Sequence, residues 1–123
     1  MNTSILTSIK KMLGIAEDYT HFDMDIIMHI NSVLMILQQI GIGPVEGYSI
    51  SDSTPTWNDF VPEEKHLEAI KTYMYLKVKL LFDPPLGSAV TESINRLIAE
   101  LEWRLYVAAE SKQNDSEEVI QNG

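Results

Sequence analysis

No α-helix can run through Asp83-Pro84-Pro85, because each ring removes an amide hydrogen and restricts the residue before it. Upstream, residues 63 to 82 contain neither proline nor glycine, so an opening at Pro62 and a stop before the proline pair bound a helix of about six turns. Gly41-Ile42-Gly43-Pro44 makes a second break of the same kind. A chain cut this way, with apolar residues at helical spacing between the cuts, is expected to be mainly all-α.

Four helices are expected. Residues 3 to 13 read as a short amphipathic helix with Ile5, Ile9, Met12 and Leu13 on one face, Lys10 and Lys11 turned away, and Gly14 as its stop. The second begins near Asp23 as N-cap, with Phe22 placed to staple onto Ile27, and runs to Gly41. Its core stripe is Ile26, Ile30, Val33, Leu37 and Ile40. Met24, Met28 and Met35, with Asn31 between them, form a separate row that reads either as core packing or as an adaptable contact surface, since thioethers repack easily.

The third helix opens at Pro62, with Glu63 and Glu64 favoured in its first turn by the helix dipole, and carries the core stripe Leu67, Ile70, Met74, Val78 and Leu81. Lys71, Tyr75 and Lys79 line its remaining side, either as a solvated face with snorkelling lysines or as a strip that pairs with acidic residues of a neighbour. The fourth runs from Ser88 to about Ser111, with Val90, Ile94, Leu97, Leu101, Leu105 and Ala108 inward and Glu92–Arg96 and Glu100–Arg104 pairs outside. Trp103 lies off that stripe and is a candidate partner contact.

Between helices two and three, residues 42 to 61 break the helical pattern. Gly47 to Ile50 and Thr54 to Trp57 flank Ser51-Asp52-Ser53, which reads as a short β-hairpin or an ordered loop. Trp57 and Phe60 in this insert are either a cap over the core or interface anchors. Residues 1 to 111 thus form one helical domain, and residues 112 to 123 read as a disordered acidic tail.

Charge narrows the function classes. The formal net charge of −9 disfavours a protein that grips nucleic acid through its phosphates. It is also uneven, because residues 14 to 70 hold ten acidic groups against the single Lys65. No apolar run is longer than that of Val33 to Leu37, which is far short of the roughly twenty residues that cross a bilayer. No cysteine is present, so thiol nucleophiles, disulfides and thiolate metal sites are ruled out. His21, His29 and His66 are scattered, and no HExxH, P-loop, GxGxxG or GxSxG pattern occurs. No catalytic residues, cofactor or metal site are expected. What the pattern holds in excess is apolar helix face, which points to assembly.

The layout resembles the head-tail connector (head-completion adaptor) family of tailed bacteriophages and prophages. The resemblance rests on Trp57-Asn58-Asp59-Phe60-Val61-Pro62, on a helix carrying Ala69-Ile70-Lys71-Thr72-Tyr73 and ending in Phe82-Asp83-Pro84-Pro85, and on Glu102-Trp103-Arg104-Leu105 in the helix that follows. It spans roughly residues 3 to 110. It implies a structural virion protein, not an enzyme, whose copies close a cyclic ring of about twelve. Such a ring joins the capsid portal protein to a tail-side stopper or completion protein and lets packaged DNA pass without specific binding. It implies no membrane contact, assembly in the host cytoplasm and final residence at the head-tail interface of the virion. The alternative is an acidic helical partner-binding or inhibitor module with no virion role.

Overall fold

The computed structural model describes residues 3–122, with side chains from 3 to 112. Among the described residues five helices follow in order: α1 (Ile5–Met12), α2 (Asp23–Ile40), α3 (Trp57–Phe60), α4 (Leu67–Phe82) and α5 (Ser88–Asn122). The central pair is α2 and α4, α5 packs mainly on α4, and α1 covers both members of the pair. Of the stretch 112–123, expected as a disordered tail, all but Lys112 lies outside the residues whose side chains are described.

The core joins Ile26, Ile30, Val33, Leu34 and Leu37 of α2 to Ile70, Tyr73, Met74, Leu76 and Val78 of α4, with Ile5, Leu6 and Ile9 of α1 closing it. α2 ends where Gly41 turns to a φ of 107° and its N–H donates to the Leu37 and Gln38 carbonyls, a left-handed cap that costs glycine nothing. Two residues on, a Cβ at Gly43 would overlap the Phe60 ring, so glycine there lets the chain close over the buried phenylalanine.

No hairpin forms in the insert, and no strand occurs among the described residues. Ile50 finds a side chain instead of a partner strand: its N–H donates to Asn31 Oδ1 at 2.8 Å and its carbonyl accepts from Asn31 Nδ2 at 2.9 Å. Asp52 then closes a tight turn by accepting from the Thr54 amide and hydroxyl. Thr56 and Asp59 form a reciprocal capping box, which rolls Trp57–Phe60 into one helical turn. A single bridge among the described residues pairs Ser4 with Thr56, where Ile5 N–H donates to Pro55 O and Trp57 N–H to Thr3 O. The insert is therefore an ordered loop stapled to the chain's beginning.

α4 starts five residues later than Pro62. Phe60 and Val61 are buried, and Glu63 takes a φ of 52°, which no helix continues through. Asn58 Oδ1 accepts the Glu63 amide and Glu64 Oε2 accepts that of His66, so the acids expected to stabilise a first helical turn instead fasten the bend before it. The stop at Phe82 falls where the prolines require it.

α5 is rotated from the expected inward stripe. Its buried residues are Ile98 and Leu105, supported by Ile94, Leu101 and Ala109, whereas Val90 and Leu97 are exposed. Packing mainly on one neighbour leaves room for only a narrow row. Tyr73 of α4 fastens this row from the other side, its hydroxyl donating to Glu102 Oε2 at 2.9 Å.

Lys10 is not turned away but buried. Its ammonium donates to the Glu17 and Tyr19 carbonyls at 3.0 and 2.8 Å and lies 2.8 Å from Asp23 Oδ1. That contact meets the carboxylate off the hydrogen-bond direction, so it is chiefly Coulombic. Asp23 accordingly serves as ion partner and not as N-cap of α2, where Phe22 holds the cap position. Phe22 packs edge-on against Phe82 at 5.3 Å, which ties the α1–α2 corner to the end of α4.

Removing the partner of a buried ammonium leaves an uncompensated charge, so Asp23→Asn is expected to cost about 3 kcal/mol in urea unfolding. Lys10→Met costs less, because Asp23 is about a quarter exposed and water can reclaim it. Equal losses for the two variants would contradict this account. A second expectation concerns alkali. Burial, and then the Glu102 hydrogen bond and charge, push the Tyr73 phenol well above its ordinary range. The unfolded phenol ionises near pH 10 while the folded one keeps its proton, so this stability is intact below about pH 10 and lost as the pH climbs beyond it. Tyr73→Phe should make the fall in melting temperature above about pH 10 shallower than in the wild type.

Candidate interaction surfaces

A helix completing its own domain normally shows water a polar back. α2 does not. With Ile26, Ile30, Val33 and Leu37 buried, the side directly opposite carries Met24, Met28 and Met35, exposed to 83%, 60% and 60%. Core packing is thereby excluded for all three; Met74 on α4 is the methionine inside. Asn31 belongs to the same row, and its two bonds to Ile50 bring the Ser51-Asp52-Ser53 turn alongside it.

The outer flank of α5 is the second such surface. Trp103 is 65% exposed and stacks on Tyr106 with ring centroids 6.1 Å apart. The pair walls a shallow depression of about 400 Å³, floored by Ile98 and Ala99 and closed by Ile40 at the end of α2. Glu100 pairs with Arg104 at 2.8 Å, as the spacing suggests. The expected Glu92–Arg96 pair does not form: among the described residues the ion pairs are Lys10–Asp23, Lys71–Glu68, Lys79–Asp83 and Arg104–Glu100.

A larger groove of about 950 Å³ runs between the Gly41–Pro44 bend, residues 59 to 66 and the stretch of α5 from Arg104 to Lys112. Its floor is apolar, from Ile42, Phe60, Val61 and Leu105, and its rim alternates Glu63 and Glu64 with Lys65, His66 and Lys112. No sequence signal singled it out, because it is made by a bend whose course depends on Glu63 leaving the helical region.

The other candidates lie further in. Trp57 and Phe60 are buried, so neither offers surface. Trp57 Nε1 donates to Ser8 Oγ at 3.1 Å, and Lys71 Nζ sits 5.8 Å from the indole centroid. Lys71 also approaches Glu68 at 3.8 Å, and Lys79 approaches Asp83 at 3.6 Å, so both ends of the Lys71–Tyr75–Lys79 strip are partnered within the chain. Tyr75, half-buried, packs against the core. The strip is thus a partly covered seam, and only Trp103 and the three methionines stand well out into solvent.

Among the described residues no group of three His, Cys, Asp or Glu side chains could hold a metal ion, and no helix is long and apolar enough to cross a membrane. No curated protein and no solved structure matches the chain. One family model does match, described as phage connector protein, over residues 5–112, from the first residue of α1 into α5. With that match over most of its length, the chain belongs to the phage connector protein family.

Proposed function

We propose that this chain is a structural virion protein, a ring-forming adaptor that joins the portal vertex of the capsid to the tail. The observation that supports this reading is a subunit of the phage connector family whose own core is filled while two of its outward helix surfaces, the α2 methionine row and the α5 aromatic flank, remain apolar. Exposed surface of that kind is covered when neighbours dock. Two unlike surfaces on one subunit suit a head-to-tail contact, which closes into a ring when the rotation per copy divides the circle.

The protein works by geometry and carries out no reaction. Portal protein binds one side of the ring, a stopper or completion protein the other, and DNA passes along the central channel. The acidic balance has a use there: a wall that repels phosphate lets DNA slide without sticking. The rings form in the host cytoplasm and end in the virion.

Negative-stain microscopy and native mass spectrometry of the chain mixed with its portal test this. Closed rings seated on the portal vertex are expected. A discrete one-to-one complex with another protein and no self-assembly would overturn the proposal and favour the acidic inhibitor module. Neutralising Glu17, Asp18 and Glu46 together is expected to slow DNA ejection from assembled particles, measured as the rate of dye access to DNA.

A further inference from the structure

The two apolar surfaces differ in shape, and each holds an unpaired charge close to its apolar row. Beside the methionine row stands Asp25, exposed and without an ion-pair partner among the described residues, and α2 holds no lysine or arginine. On the aromatic flank stands Arg96, likewise exposed and unpaired among the described residues, seven residues before Trp103 and so on the same side of α5, with Glu92 and Glu110 further out toward either end of that side. Two methionine rows facing each other in parallel would bring Asp25 near Asp25 with no lysine or arginine between them. A methionine row facing an aromatic flank allows Arg96 to meet Asp25.

Register follows from helix rise. Two turns, seven residues, advance about 10.5 Å along either helix. With Arg96 against Asp25 and the helices parallel, Trp103 falls level with Ser32, between Met28 and Met35. With the helices antiparallel, Trp103 would be carried past the start of α2 at Asp23 and meet no helix. The parallel arrangement sets thioethers against the Trp103–Tyr106 wall and its depression, where sulfur–aromatic contacts are favourable.

We infer that the partner of the α2 methionine row is a second copy of this chain, seated by its Trp103–Tyr106 flank in parallel register with Arg96 on Asp25. This rests on the ring reading above and goes beyond it by assigning both faces of the subunit contact.

The test uses the full chain and charge reversal at exposed positions that leave the core untouched. Asp25→Lys or Arg96→Glu alone is expected to raise the concentration at which half the chain assembles by about tenfold, and the double variant to bring it back. Peroxide footprinting adds a second readout: Met24, Met28 and Met35 oxidise readily in the dissociated chain and about tenfold more slowly in the assembly. If rings form but the single reversals assemble like wild type, or the three methionines stay equally reactive, this contact is wrong while the ring reading stands. If the wild-type chain forms no assembly with or without portal, both fall together.

Discussion

Trp57 draws three separated pieces of chain into one structure. Its indole N–H reaches Ser8 on α1, its backbone N–H reaches Thr3, and Lys71 of α4 lies over the ring. A short helix such as α1 is marginal by itself. Here it is held by this aromatic, by the Ser4–Thr56 bridge and by the burial of Ile5, Leu6 and Ile9. Truncating a buried tryptophan typically costs about 3 to 5 kcal/mol, a large part of the roughly 5 to 15 kcal/mol a small domain has. The insert is therefore a structural member, and the helix-bundle core is incomplete without it.

Helix punctuation was legible in the sequence because its causes are local. Proline at 84 and 85 and glycine at 41 act on their own backbone, so the ends of α2 and α4 follow from neighbouring residues alone. The start of α4 was not, because the pull on residues 58 to 63 comes from burying Phe60 and Val61 against distant parts of the fold. Lys10 shows the same limit. Helical spacing placed it on a polar face, yet the loop at 17 to 23 folds back over that face and supplies two carbonyls and a carboxylate. A sidechain standing in for a strand, as Asn31 does for Ile50, leaves no pattern of alternation to read.

For the surface, the methionine row was visible as a row, and the structure decides which way it faces. Exposure of Met24, Met28 and Met35 follows from the opposite face being taken by five aliphatic residues that α4 needs. Trp103 stands out for a related reason: α5 turns Ile98 and Leu105 inward, which swings the indole to the far flank. Trp57 went the other way, from candidate anchor to interior. The three sites share aromatic or thioether chemistry, and only the packing around them separates a keystone from a handle.

Because α5 is pinned to the body by a narrow row, most of its circumference between Ser88 and Lys112 is left exposed. Mutations on that free circumference are nearly silent for folding, so a lineage can alter whom it docks with while keeping its scaffold intact. Stability and recognition are thereby written on separate residues of one helix, a division that lets a connector follow changes in its neighbours step by step.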